Sequence, residues 1–599
     1  MRGAAALLII SIYSLVLQAQ HADSSSAPAF MQRMQTIAQK AAKGFARLSY
    51  NDDPDSNTTT GSRPYRKYRN RVIRKIEITV FRPFGTDIQD STKVIPMNRF
   101  EKGANRFHTR TRSWAVRNDL LFREGQRLNP QRIADSEQQL WSRNTFKNLR
   151  IYVVPIQTDS VDVFILAQDR FTFQFLTSFE FYRLRVNLNL INFLGAPQTL
   201  TVGAYVSAIY HNWFGVNVGY SYDNIAGTHI NASVRAAYEK IGFSVEGSVT
   251  RPFFSADTKW GGAFIAGWQN TQVQTINDYT YFYNQSNHYE DLRLVYAIKR
   301  TDTSAQSAQR LHPLVALRYQ HLQYGNRPFL VRGDGVFKFA GYDRLLWAVG
   351  LASWNYYEER TVYLLGQKEY IPKGPGAQLI MGVERDELFG KRAYAGFHFQ
   401  YGRYFPVFGY SLFDAGAGGY TNFNKIEQTH VALQHHYYSP LLSLGKWHVR
   451  HFIGNFFYFG FDRPPGSSFQ VTERYGLKGL NYPVFRAERV IAANFETSFY
   501  LPKKIMGFNA SIFVNCDLAY LGFYGWQPQF HPLVQQAYGS GMRLRIPNFG
   551  LDIIEVGLYY YPFSYLYNIF PVNPSGGTAN PRQAAANNLY NLDALHVDY

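Results

Sequence analysis

His430, His435 and His436 are the densest group of metal-capable side chains in this 599-residue chain. They fall in a segment of alternating pattern, where neighbours face opposite sides, and so read as surface or interface residues rather than a metal site. A serine hydrolase would need a Gly-x-Ser-x-Gly elbow, a zinc peptidase His-Glu-x-x-His, and a nucleotide hydrolase Gly-x-x-x-x-Gly-Lys-Ser/Thr. None of these occurs. Ala415-Gly416-Ala417-Gly418-Gly419 is glycine-rich, but in an alternating segment glycine marks close packing rather than a phosphate cradle. A lipase inside a barrel would need only a Ser–His pair, which spacing neither supplies nor excludes. The expectation is no catalytic residues, no metal, no cofactor, and not an enzyme.

The elements available to position any site follow from composition. One Cys, Cys516, excludes a disulfide scaffold and a Cys-based metal site. Aromatic residues are 17% and charged residues 18%, which excludes a disordered chain. A mean hydropathy of −0.27 argues against a multi-helix membrane protein. A net charge of +19 favours an anionic partner, either nucleic acid or lipid. Met1-Arg2 followed by the apolar run Ala4 to Leu17, ending in a small residue at Ala19, has the form of an export signal. Export makes nucleic acid the weaker partner.

Four regions are expected: a signal peptide at 1–19, an amphipathic helix and basic linker at 20–70, an α/β domain at 71–170, and strands from 171 to 599. Phe30, Met34, Ile37, Ala41 and Phe45 recur at helical spacing among basic residues. Such a helix either lies on an anionic membrane or docks on the next domain. A polar linker, Asn51 through Thr60-Gly61, and the cluster Arg63 to Lys75 follow, the cluster reading as a solvated face. The α/β domain reads as β-α-α-β-β. Ile76, Ile78 and Val80 alternate as a strand; Trp114 to Leu121 is helical; Asn129-Pro130 opens a second helix; and strands follow at Leu149–Val154 and Val161–Leu166.

From residue 171 onward, apolar and polar residues alternate in segments of roughly ten, as a transmembrane barrel with a wet lumen requires. Examples are Leu200, Val202, Ala204 and Val206 against Thr201, Gly203 and Tyr205, and Met542 and Leu544 against Arg543 and Arg545. Connections alternate long and short: 460–488 long, 501–507 short, 522–533 long, 548–550 tight. Up to about twenty segments qualify as strands. The fold class expected is mainly β, an antiparallel transmembrane β-barrel behind a small α/β domain.

Several motifs resemble the BamA/TamA superfamily of outer-membrane assembly and translocation proteins, in which periplasmic POTRA domains precede a 16-stranded barrel. Leu121 to Gly125 and Phe146 to Val153 are similar to the second half of a POTRA domain. Asn192-Phe193-Leu194-Gly195 and Val249 to Phe254 resemble periplasmic turns of the family. Tyr475-Gly476-Leu477-Lys478-Gly479-Leu480 is similar to the family's Arg-Gly-Tyr/Phe loop motif, which folds into the barrel. The resemblance implies that Lys478, Gly479 and Leu480 form a lumen loop whose cation meets Glu496 on one strand, while the family's Asp position falls on Asn515, with Asp517 on the same face. Lys lacks the carboxylate-gripping fork of Arg, and Asn515 lacks a charge. The loop is therefore expected to be held less firmly unless Asp517 substitutes.

The function this implies is assembly or translocation of client polypeptides at the outer membrane of a Gram-negative bacterium, with the POTRA-like domain in the periplasm. Partners would be outer-membrane lipid, unfolded outer-membrane or exported proteins, and periplasmic or lipoprotein partners; nucleic acid is not expected. The closing strand is expected near the C-terminus, with Leu595, Val597 and Tyr599 at a lateral seam that opens to template a client strand. The alternative is a passive pore or lipid-handling barrel that keeps the POTRA-like domain for docking.

Overall fold

In the computed structural model the described residues run from 60 to 562, less connecting segments of which the longest are 275–281, 299–310, 328–338, 479–485, 523–533 and 546–552. The signal segment, the helix expected at Phe30–Phe45, Gly479, Leu480, Leu595, Val597 and Tyr599 lie outside the described residues.

A 3-10 helix, Thr60–Tyr68, opens the α/β domain. It is followed by β1 (Val72–Phe81), α1 (Arg99–Phe107), α2 (Ser113–Asn118), α3 (Pro130–Ser142), β2 (Phe146–Pro155) and β3 (Ser160–Asp169). The sheet order is β1-β3-β2, with β1 parallel and β2 antiparallel to β3. The core is apolar: Ile73, Ile76, Val116, Leu128, Ile133, Leu140, Val163 and Ile165 are buried together. Helix α1 was not expected, although Asn98 and Glu101 form a full capping box at its start. The stretch Thr60–Tyr68, read as linker and basic face, instead anchors the domain. Its Tyr65 is buried and donates to the Ile151 carbonyl (3.2 Å) and to Glu137 (3.1 Å), while Arg63, Lys67 and Arg69 face solvent.

The strands after β3 form a closed barrel. Six short ones come first: β4 (Phe173–Glu180), β5 (Arg183–Ile191), β6 (Gln198–Ser207), β7 (Phe214–Tyr222), β8 (Asn231–Glu239) and β9 (Gly242–Arg251). Four longer ones follow: β10 (Trp260–Gln274), β11 (Phe282–Ala297), β12 (Leu311–Tyr324) and β13 (Tyr342–Ser353). A separate hairpin, β14 (Tyr356–Arg360) and β15 (Lys368–Pro372), interrupts the ring sequence. The ring resumes with β16 (Gly374–Asp386), β17 (Gly390–Phe405), β18 (Gly409–Thr421), β19 (Ile426–Tyr438), β20 (Leu442–Leu444) and β21 (Trp447–Phe461). A loop bearing the two-residue ladder of β22 (Phe469–Gln470) and β23 (Arg486–Ala487) leads to β24 (Arg489–Tyr500), β25 (Asn509–Gly522), β26 (Val534–Arg545) and β27 (Ile554–Tyr560).

Twenty described segments thus lie in the ring, and β19 and β20 both pair with β21, leaving nineteen staves. The number exceeds the sixteen implied by the family resemblance and sits near the upper count of alternating segments. Successive staves from β4 to β27 are antiparallel, so with an odd number of them β27 runs in the same direction as β4, onto which it closes.

Alternation explains the two faces. On β25, Ile512, Val514, Leu518 and Tyr520 are exposed outward, while Phe513, Asn515, Asp517 and Ala519 are buried inward. On β13, Leu345, Trp347, Val349 and Leu351 face out, and Arg344, Leu346 and Ala348 face in. An apolar belt around a ring that satisfies its own backbone is the condition for spanning a bilayer with strands. No described helix is long and apolar enough to cross a membrane.

Candidate functional site

Leu477 and Lys478, in the connection between β21 and β24, lie against the inner wall. Leu477 is buried among Phe456, Tyr458, Val490, Ala492 and Ala519 of the wall, which fixes where the next residue enters. Lys478 then makes three wall contacts. Its backbone N–H donates to Asp517 Oδ2 (2.9 Å), and its ammonium lies 2.8 Å from Glu496 Oε2 and 3.3 Å from Glu555 Oε1. Tyr561 donates its hydroxyl to the Lys478 carbonyl (2.9 Å). Asn515 donates to Asp517 Oδ2 at 3.0 Å, orienting that carboxylate.

The structure therefore brings Lys478, Glu496, Asn515 and Asp517 together; Asp517 grips the loop backbone rather than the ammonium. Two residues the sequence reading missed complete the cluster. Arg543 on β26 forks onto both oxygens of Glu496 (2.6 and 2.9 Å) and donates through Nε to Glu555 (2.7 Å). Arg543 and Glu555 are direct cross-strand partners. The fork that Lys478 cannot make is thus supplied by the wall, leaving the lysine as a point charge above it. Arg543 had appeared in the sequence only as a polar position of an alternating strand.

Both cations lie over one aromatic ring. Lys478 Nζ lies 4.0 Å and the Arg543 guanidinium 4.4 Å from the centre of Phe513. A ring lying flat there needs a partner without a side chain. A Cβ built at Gly541 would fall 2.6 Å from Phe513 Cζ and 2.3 Å from the Val556 carbonyl oxygen. The cluster carries Lys478 and Arg543 against Glu496, Glu555 and Asp517, and Glu496 is only 2% exposed. Charges this well paired hold position; they offer no free acid or base. Among the described residues, no group of three or more His, Cys, Asp or Glu side chains could hold a metal ion. His430 stacks on Tyr458, and His435 stacks on Phe413 while bonding Ser411. Gly418 sits where a Cβ would meet the Tyr394 hydroxyl.

The α/β domain docks on the barrel rim through turns. Asn192-Phe193-Leu194-Gly195 holds Asn192, Leu194 and Gly195 at φ of 58°, 57° and 74°. Asn192 donates to Thr111 Oγ1 (2.8 Å), and the Gly195 carbonyl accepts the Arg112 N–H (2.9 Å). A Cβ at Gly195 would lie 2.5 Å from the Arg110 carbonyl, so only glycine lets the turn close on the domain. Asn224-Ile225-Ala226-Gly227 repeats this backbone, with Asn224 donating to Asp119 (2.5 Å), itself paired with Arg143 at 2.6 Å. The third turn, after Val249 to Arg251, adds Asp257 to Arg132 (3.0 Å), and Phe254 stacks on His229, which bonds Gln139 at 2.9 Å.

No protein-family model matches the sequence, and no curated protein matches it. Among solved structures, the chain is similar to BamA from Haemophilus ducreyi lacking POTRA domains 1-3, at 13% identity and TM-score 0.37, covering 84% of each chain. It is similar to CdiB from Escherichia coli at 12% identity and TM-score 0.43, covering 83% of this chain and 74% of that one. It is also similar to the siderophore receptor PirA from Pseudomonas aeruginosa, at 10% identity, TM-score 0.31, and 84% and 82% coverage.

Proposed function

We propose that this protein is an outer-membrane assembly or translocation factor of the BamA/TamA type, which inserts client polypeptides at a lateral seam or passes them through a lumen guarded by an inward-folded loop. The α/β domain would act as its POTRA-like module on the periplasmic side, and the leading segment as its export signal. Clients would be unfolded outer-membrane or exported chains, with bilayer lipid and periplasmic or lipoprotein partners around the barrel. The work is physical rather than catalytic.

The observation that carries this reading is the Lys478 loop, drawn into the lumen and clamped by Glu496, Asp517 and Glu555. A loop held by ionic contacts is a closure that can be released without breaking the barrel. The seam supports the same reading. Its strands β4 and β27 have 8 and 7 residues and run in parallel, and parallel pairing is the weaker kind per residue. A short, weak closing pair is the place where a client strand could add by its backbone.

The test is reconstitution. Proteoliposomes carrying the protein should convert a urea-unfolded β-barrel client to its protease-resistant form faster than empty liposomes. A client yield equal to that of empty liposomes, together with steady ion conductance, would replace this reading with a passive pore.

A further inference from the structure

The hairpin β14–β15 has no place in the ring, and its position is unusual. It leaves the wall between β13 and β16 at the rim nearest the α/β domain, where Lys373 N–H bonds the Asn355 carbonyl (2.8 Å) and closes its base. From there it lies inside the barrel. Tyr357, Val362, Tyr363 and Ile371 are buried against Tyr410, Tyr438 and Phe452, which come from β18, β19 and β21. Its tip reaches β25 and β26: the Leu365 carbonyl accepts from Asn509 Nδ2 (3.1 Å) and from Arg545 Nη1 (3.2 Å). The hairpin thus spans the lumen from β13 past six intervening staves.

It carries its own turn and is tied to the wall near its base, where Tyr410 donates its hydroxyl to the Pro372 carbonyl (2.6 Å). The Glu369 carboxylate turns inward and accepts the N–H groups of Val362 (2.9 Å) and Tyr363 (3.0 Å), so the turn carries its own cap. Midway along, Glu359 lies 3.6 Å from the guanidinium of Arg450, a wall residue with no exposed surface. The α/β domain covers the outer side. The 3-10 helix Thr60–Tyr68 packs on β14, and Glu137 of α3 and Tyr65 both lie within electrostatic reach of Tyr370.

The hairpin and the Lys478 loop enter from opposite rims and are fastened to the same strand. Arg543 grips the carboxylate that holds the loop, while Arg545, two residues on and on the same face, grips the hairpin tip. We propose that residues 354–373 are a second gate of the lumen, in series with the Lys478 loop, closing the domain-side end and kept shut by the α/β domain. Opening would need the tip to leave Asn509 and Arg545, and the domain to move from the outer face. This is a hinged closure of the kind that commits passage only when two elements move. The inference goes beyond the assembly reading and stands for any solute or chain that crosses the lumen.

Planar-bilayer conductance tests it with the full chain. Four proteins are compared: wild type, Lys478→Ala, a variant in which residues 356–372 are replaced by Gly-Ser-Gly, and the two changes combined. Gates in series predict low conductance with brief openings for the single changes and a severalfold larger, steady conductance for the combination. A combined variant that conducts no more than Lys478→Ala alone would overturn the proposal. A second design keeps the hairpin and does not depend on its removal being tolerated. In a Lys478→Ala, Cys516→Ala background, Gly366→Cys and Asn509→Cys are placed at the tip contact, where a Cβ at Gly366 lies 2.9 Å from Asn509 Nδ2. Oxidation should abolish the brief openings and reduction restore them; openings that persist when the disulfide has formed would also overturn it. Failure here leaves client folding by proteoliposomes untouched, so the two readings fail separately.

Discussion

At the residue scale, the distribution of charge in the loop clamp decides which side chain matters most. Lys478 contributes one cation at 14% side-chain exposure, and if it is removed Glu496 keeps both arms of the Arg543 fork. Removing Arg543 instead leaves Glu496 and Glu555 buried with a single lysine between them. The two cations are about equally buried, at 14% and 16% side-chain exposure, so the difference lies in what each loss undoes. Arg543 donates three hydrogen bonds to the two glutamates where Lys478 offers one shared ammonium. Breaking a buried pair by taking away one partner typically costs about 3–5 kcal/mol. Arg543→Ala should therefore lower the urea midpoint of the barrel in detergent far more than Lys478→Ala. Equal shifts would mean that the lysine, not the wall arginine, organises the site. Gly541→Val gives an independent check. It sets a side chain against Phe513 and should free the loop as Lys478→Ala does, raising the rate at which protease cuts within 462–488.

At the element scale, the docking turns carry titrating groups whose effects oppose one another: burial raises Asp119 and Asp223 and lowers His229. Burial, with Arg251 and Arg143 nearby, lowers His229 to about 4, so the docked state favours the neutral ring. Docking is then fully favoured above pH 6.5 and weakens as pH falls from 6.5 towards 4. Burial raises Asp119 to about 6 against the pull of Arg143, so the docked state favours the protonated acid, and docking strengthens as pH falls from about 6 to 3.8. In the wild type the two acids oppose the histidine. Protection factors for the amides of residues 224–231 should rise on acidification in His229→Phe and fall in Asp119→Asn; parallel slopes would sink this assignment. These elements also mark what the sequence disclosed. The turn Asn192 to Gly195 was legible through its resemblance to a family turn, and the alternation of β25 put Asn515 and Asp517 on one face. The twin turn at Asn224 was passed over although it has the same Asn-x-x-Gly pattern. The hairpin was not picked out from the sequence, since nothing local marks Glu369 as a residue that the tertiary fold buries. Arg543 and Glu555 were hidden for a related reason: alternation says that a residue faces the lumen, not which lumen residue it meets.

At the scale of the whole molecule, the ring is strong on one side and weak on the other. Strands β10 to β13 and β16 to β19 run to 12–16 residues, against 8–10 for β4 to β9 and 7 for β27. The long side is also cross-linked through the lumen. Asp291 binds Arg293 and Arg318 at 2.6 Å, and Glu384 joins Arg344 (2.5 Å) to Arg392 (2.6 Å), with Tyr420 donating to it at 3.1 Å. Buried networks of this kind rigidify the strands they join. The short side faces the lumen with fewer such links: Thr201 bonds Asn189, Ser233 bonds Ser248, and Arg235 lies opposite Glu246, which accepts from Tyr289. Local stability follows the density of such contacts, so opening should begin where they are sparse. Hydrogen exchange of the barrel in micelles should release the amides of β27 and β4 first, those of β5 to β9 next, and those of β16 to β18 last. Removing Glu384 as Glu384→Gln should speed exchange in β16 and β17 and leave the seam unchanged. A barrel that exchanges uniformly around its circumference would mean that the closing pair is no weaker than its neighbours, and the lateral route for a client would lose its physical basis.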